Sequence, residues 1–327
     1  MQANEKKKLL STKPIRNTLR DTSHSQTVSC KQKKWTIIKM EKINRFITNG
    51  DTTIQTNIYS PEKGKETIIL LHGGPGVPDE MREVVDYFRD NYSVINFEQR
   101  GVGLSNCGNS GFKIENYISD LDKIADEFNV EKFHLFGHSW GGLYAQIYAY
   151  KRTKRIKSLF LCSPSSGTNQ TWKKTEKEVL QFNKRMTNFS EWMRMGLNSL
   201  LGMFGSDKAY RRMFEQVLKN YHSEYGKIPI DIESLNGVHA KPINKTRKEI
   251  IEYEPLTELK DTNFPIIITY GDNDIYGDSK SELINRFQTA SVRILENCGH
   301  IPWKHNLSKF KSVLDEFYGK KPAANKA

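Results

Sequence analysis

The 327-residue chain is poor in cysteine. Its four cysteines, Cys30, Cys107, Cys162 and Cys298, are scattered without the spacing of a metal site or redox pair. Free thiols in a reducing cytoplasmic setting, and no metal or organic cofactor, are therefore expected. No apolar run approaches the roughly 18 residues of a membrane span, and the mean hydropathy of -0.65 is that of a soluble protein. The N-terminal segment does not read as a secretory leader, because Leu9-Leu10 is followed at once by Ser, Thr, Lys and Pro. A phosphate loop is missing too, because no Gly-Lys-Ser/Thr follows the glycine-rich segments.

The net charge of +12 suggests nucleic acid until it is placed along the chain. Residues 1–39 hold ten Lys/Arg against Glu5 and Asp21, and the segment from Gly319 adds Lys320, Lys321 and Lys326. Little charge is left between them, so neither a DNA- nor an RNA-binding face is expected. Residues 1–34 have too few apolar side chains to offset the entropy of ordering them and read as a disordered basic arm. Residues 320–327 read as a basic tail. Translation from Met40 would leave the fold nearly intact.

What the chain does have is an alternation of strand and helix patterns. A β-rich run from Trp35 to Thr48, the Asn49-Gly50 turn and Thr52 to Tyr59 form a hairpin. Strands at Thr67 to Leu71, Tyr92 to Phe97, Lys132 to Phe136 and Lys157 to Cys162 then alternate with helices at 79–91, 116–128 and 143–151. Such alternation predicts an α/β fold, a mostly parallel sheet with helices on both faces. It stops between Pro164 and Lys260, a stretch read as helices only, including 172–186, 190–201 and 207–221. It resumes with a strand at 264–270, a helix at 278–289, a strand at 291–295 and a closing helix at 302–318. The core is thus 35–163 plus 261–319, with 164–260 inserted as a helical cap. Five of the eight methionines fall in that insertion; they read as helix-packing residues, with an adaptable lid as the functional alternative.

The chain is organised around Phe133-His-Leu-Phe-Gly-His-Ser-Trp-Gly-Gly142, an apolar run entering Gly-x-Ser-x-Gly and then a helix. This is the arrangement of a nucleophile elbow, with Ser139 at its apex. A nucleophilic serine needs a base, and the base needs an acid to orient it. In such a sheet both should follow strand ends. Gly271-Asp-Asn-Asp274 and Gly299-His300 do so, giving Ser139, Asp274 and His300 as the catalytic set. Asp272 and Asp278 are rival acids, and His305, read as a surface residue of the last helix, is a rival base. His72-Gly-Gly-Pro-Gly76, directly after a strand, suits an oxyanion loop, with the backbone N–H groups of Gly74 and Trp140 as donors. His72 and His138 read as structural.

Together, His72-Gly-Gly-Pro-Gly76, Glu98-Gln-Arg-Gly-Val-Gly-Leu-Ser105, Gly137-His-Ser-Trp-Gly-Gly142, Gly271-Asp-Asn-Asp274 and Gly299-His300 resemble the α/β-hydrolase fold, and within it the proline iminopeptidase group. The resemblance covers about residues 40–318. It implies a helical cap after the sixth strand and release of an N-terminal residue, often proline, from a small or short-peptide substrate. Two departures stand out. Glu98 occupies a position usually held by Asp, and the cap has no Trp-Glu pair of the kind that holds the substrate amine, only the reversed Glu191-Trp192. Glu191 and Glu215 are candidate substrate-binding acids, with Glu176, Glu178 and Glu224 also available. The cap's 16 Lys/Arg against 12 Asp/Glu give no long-range pull on a cationic terminus. A carboxylesterase or C–C bond hydrolase on the same three residues is the alternative, and a ligand-sensing protein with vestigial hydrolysis is a third reading.

Overall fold

The computed structural model describes residues 42–59, 64–109, 111–259 and 262–319. The arm (1–34), the start of the first hairpin strand (35–41) and the tail (320–327) lie outside them. The hairpin is present as β1 (Lys42–Asn49) and β2 (Thr52–Tyr59), joined through Gly50 at φ +62°, a left-handed turn position that glycine takes without strain.

Strands β3 (Thr67–Leu71), β4 (Ser93–Phe97), β5 (Phe133–His138), β6 (Ile156–Cys162), β7 (Ile266–Gly271) and β8 (Ser291–Leu295) complete one sheet in the order β1-β2-β4-β3-β5-β6-β7-β8. From β4 to β8 every neighbouring pair is parallel, while β1 and β2 run antiparallel at one edge. Both faces are buried because each strand alternates its side chains between two cores. Ile69, Leu71, Leu135, Leu159 and Ile268 meet helices α2 (Ile114–Glu127), α3 (Trp140–Lys151) and α8 (Ser279–Arg286). Ile68, Leu70, Phe136, Phe160 and Ile267 instead meet α1 (Arg82–Phe88) and α10 (Leu307–Tyr318). Phe136 stacks on Phe160 at 5.0 Å, and Phe310 of α10 meets both rings edge-on. Each such fully buried side chain contributes about 1.5–3 kcal/mol.

Several helices differ by up to three residues from the reading of the pattern, and two of the differences have a clear local cause. The first is shorter at both ends: Asp79 accepts a bond from the Met81 N–H in a local turn, and Met81 itself takes left-handed dihedrals, so α1 starts only at Arg82. The last splits into α9 (Pro302–His305) and α10, because Asn306 leaves helical dihedrals and its side chain caps Lys309 N–H.

Between β6 and β7 the described residues form α4 (Asn169–Arg185), α5 (Phe189–Met203), α6 (Asp207–His222) and α7 (Ala240–Glu252), with no strand among them. A capping box between Asn188 and Glu191 starts α5. Gly202 lets α5 lie directly on the Tyr210 ring of α6, where a methyl group would collide. α4 and α7 are tied by Arg247 to Glu176. Two of the contacts that join this helical insertion to the loops above the sheet involve α7 and α4. Ile243 of α7 fills the space a side chain at Gly76 would need. Glu178 of α4 accepts bonds from Gly277 N–H, Ser279 N–H and the Ser279 hydroxyl, all in the segment after β7.

Candidate active site

The β5-to-α3 turn forces Ser139 to φ 54°, ψ -119°, a sparsely populated conformation for a residue with a Cβ. It is held there by Ser139 N–H donating to Cys162 O and by its own carbonyl accepting from Gly142 and Ser165. Strand and helix nearly touch at this point. A methyl on Gly137 would strike the Gly141 carbonyl, and one on Gly141 would strike that of Leu71.

The loops after β7 and β8 bring the other two groups to the same point. His300 Nε2 lies 3.0 Å from Ser139 Oγ, and His300 Nδ1 lies 3.0 Å from Asp274 Oδ1. All three residues are buried. Burial would raise the Asp274 pKa, but the facing His300, through its charge and its hydrogen bond, outweighs it and holds the carboxyl below its ordinary value. His138 Nε2 donates to the His300 backbone carbonyl at 2.8 Å and so fixes the loop that carries the imidazole.

The remaining candidates take other positions. Asp272 accepts backbone N–H bonds from Asn273, Asn297 and Cys298, stitching together the loops after β7 and β8. Asp278 is exposed at the start of α8. His305 is not the surface residue expected from sequence. It is half-buried, accepts from Gly299 N–H, bonds to His222 at 2.9 Å and stacks on Tyr225 at 3.9 Å. Glu191 is occupied as the capping partner of Asn188, and Glu215 pairs with Lys219 one turn on. The structure therefore gives both candidate amine ligands other partners and brings neither into the hydrogen-bonded chain around Ser139. The methionines divide: Met195 is buried and accepts from Asn220, whereas Met193 and Met203 face outward.

The oxyanion loop closes over the elbow. A Cβ on Gly73 would sit 3.3 Å from that of Ser139, and Gly74 holds φ +122°, open to glycine alone. His72 Nδ1 donates to Gly73 O, while His72 Nε2 accepts from Gln99 N–H. Gln99 in turn donates to His72 O and accepts from the Trp140 indole at 2.7 Å, coupling this loop to the residue after Ser139. The neighbouring Arg100, 1 % exposed, forks onto both Asp120 oxygens at 2.8 Å and also donates to the carbonyls of Gly111 and Asn116.

Tyr276 carries no motif and went unnoticed in the sequence. Its hydroxyl is 3.1 Å from Ser139 Oγ and 2.7 Å from Ser165 Oγ. Burial pushes its pKa above the ordinary tyrosine value, so it stays a neutral phenol. If Ser139 donates to His300, Tyr276 donates to Ser139 and accepts from Ser165. The rings of Tyr276 and Tyr221 flank His300 at 5.1 and 5.2 Å, and Trp172 of α4 meets Trp140 edge-on. A separate cavity of about 840 Å³, lined by Asp126, Lys132, Lys154 and Arg155 among others, lies at the opposite end of β5 and β6 and holds none of these groups.

The buried histidines set an acid limit on stability. Burial lowers His72 to about 4 and His138 to about 3. It also lowers His222 and His305, which are less enclosed. The unfolded chain binds these protons near pH 6.5, the folded chain only near pH 3–4. Between those values the unfolded state holds more protons, so stability falls as pH falls, by about 1.4 kcal/mol per pH unit for each of His72 and His138. Thermal unfolding followed from pH 7 to pH 4.5 is expected to show a steadily falling midpoint. A flat profile would mean that these imidazoles are not held neutral.

Comparison with known proteins agrees with this fold. The family described as alpha/beta hydrolase fold matches residues 66–303. A proline iminopeptidase of Lactobacillus delbrueckii subsp. bulgaricus is 21% identical over 304 residues, covering 85% of this chain and 98% of the relative. A 2-hydroxy-6-oxononadienedioate/2-hydroxy-6-oxononatrienedioate hydrolase of Klebsiella pneumoniae subsp. pneumoniae is 25% identical over 284 residues, covering 83% and 94%. Among solved structures, proline iminopeptidase of Mycobacterium smegmatis superposes with a TM-score of 0.62 at 15% identity, covering 85% and 98%.

Proposed function

Because this chain belongs to the alpha/beta hydrolase fold family and resembles its proline iminopeptidase group, we propose that it is a serine hydrolase that cleaves an amide or ester through an acyl-enzyme. The observation that carries this reading is the unbroken, buried chain Ser139 Oγ–His300 Nε2, His300 Nδ1–Asp274. His300 takes the Ser139 proton as Oγ bonds to the substrate carbonyl carbon, and Asp274 stabilises the imidazolium that forms. Negative charge on the carbonyl oxygen is received by the N–H groups of Gly74 and Trp140. Collapse of the adduct expels the amine or alcohol, which takes the proton from His300. Water then repeats the sequence and frees Ser139. Residues 164–260 act as the cap over this site.

For substrate, the motifs and curated relatives support removal of an N-terminal residue, proline foremost, from a short peptide. One observation favours a second reading, an ester or C–C bond hydrolase for a neutral acyl group: the rings of Tyr221 and Tyr276 border His300, Glu176, Glu178, Glu191 and Glu215 are bonded elsewhere, and Glu224 accepts from Asn273, next to Asp274. A desolvated ammonium without a carboxylate would be strongly disfavoured. The test compares kcat/KM for a prolyl arylamide, its N-acetylated form and a short-chain aryl ester, with Ser139→Ala as blank. Preference for the free prolyl amide supports the aminopeptidase. Ester cleavage alone supports the second reading, and activity retained in Ser139→Ala overturns both.

Tyr276→Phe isolates the second hydrogen bond to the nucleophile. Loss of one such bond, about 1 kcal/mol, is expected to lower kcat five- to tenfold with KM little changed. Unaltered kcat would mean that the phenol merely fills space.

A further inference from the structure

Helix α5 is apolar on two sides, and only one of them is buried. Met195 and Gly202 face inward against α6, while Phe189, Met193, Leu197, Leu200, Leu201 and Phe204 are each 45–84% exposed. At 3.6 residues per turn these six positions fall on one arc of about 120°, broken only by Ser190, with Arg194 next to it. Large apolar side chains scattered singly on a surface are ordinary; a continuous helical stripe of this kind marks an interaction face.

The charge around the stripe identifies its partner. From Lys184 to Arg212 there are six basic residues and only two acids, Glu191 and Asp207. Glu191 is used in the capping box of α5, and Asp207 accepts from Ala240 N–H and His239. Lys184, Arg194, Lys208 and Arg212 are exposed, and none of the four forms an ion pair with another described residue. Two copies meeting through this face would set like charges against each other. A bilayer with anionic headgroups offers an apolar layer for the stripe and negative charge for its rim.

We propose that α5 and its flanking basic residues form a docking face for an anionic lipid surface. The buried side of α5 rests on α6, the helix whose Tyr221 packs on His300: Met195 accepts from Asn220 of that helix. Docking therefore sets the cap, rather than the sheet, against the membrane.

The test is co-sedimentation of the full chain with phosphatidylcholine vesicles, with and without 20 mol% phosphatidylglycerol, at 150 mM salt. Binding is expected only to the anionic vesicles. Leu197→Ser with Leu201→Ser leaves every charge in place and is expected to weaken binding at least fivefold, and Arg194→Gln with Arg212→Gln to weaken it about as much. Circular dichroism and thermal melting check that both pairs remain folded, as their exposure implies. Unchanged binding in the serine pair would assign lipid attraction to the basic arm and overturn the proposal. So would a concentration-dependent dimer of the wild type that the serine pair abolishes without changing vesicle binding, or no vesicle binding at all.

Discussion

His300→Ala is expected to lower kcat by about four orders of magnitude or more, with KM changed little. Among the described residues the imidazole is the only side chain hydrogen-bonded to both Ser139 and Asp274. Without it the serine proton has no acceptor of suitable basicity, because the other hydroxyl at Oγ belongs to Tyr276, a neutral phenol. No neighbouring histidine can substitute. His138 bonds to the His300 backbone and burial keeps it neutral, while His305 is engaged by Gly299 and His222. Fluorophosphonate labelling should fail or slow in step with turnover. Activity within tenfold of wild type would move the base elsewhere and dissolve the proposed mechanism. Ser139→Ala should abolish labelling while leaving the fold intact, since removing a hydroxyl relieves nothing in the backbone strain.

The second large effect concerns stability. Arg100 and Asp120 form a two-pronged ion pair at 2.8 Å, with both side chains at most 2 % exposed. Asp120→Ala leaves a guanidinium buried without its counter-charge, which destabilises such sites by about 3–5 kcal/mol. At roughly 2–4 °C per kcal/mol for a domain of this size, the melting midpoint should drop by about 6–20 °C. Arg100→Met combined with Asp120→Leu should recover part of this loss, since a buried pair replaced by apolar groups is often neutral. Recovery stays partial because the Gly111 and Asn116 carbonyls lose their donor. A drop under 1 kcal/mol for Asp120→Ala would mean that water reaches the site.

These cases explain what could be read from the sequence. β2, β3 and β8 have the bounds read from the sequence; β3, buried along its whole length, leaves an uninterrupted hydrophobic signature, whereas β2 and the half-exposed edge strand β8 are marked by β-branched residues between turn signals. Ser139, Asp274 and His300 were legible because chemistry and strand ends coincide. Tyr276 was not: a tyrosine two residues past an aspartate has no distinguishing pattern, and only the folded loop turns its hydroxyl to Oγ. The break at Asn306 and the fate of His305 depend on contacts with Glu296, Gly299 and His222, which local periodicity does not encode. Glu191 and Glu215 were chosen for their charge. Helix capping and an i,i+4 pair are the ordinary uses of such residues, and the structure places both there.

The grip of Glu178 on Gly277 and Ser279 has a further meaning. That segment follows Asp274 and Tyr276 directly, so a helix of the insertion and the acid's own loop are fastened by one carboxylate. An enzyme whose insertion detaches under heat or denaturant would lose the fastening of its acid at the same moment. The damaged molecule would then be silent rather than indiscriminate. If Ser139 and Asp274 act as proposed, an uncovered nucleophile, the state most hazardous to other molecules in its surroundings, is the one this arrangement makes least active.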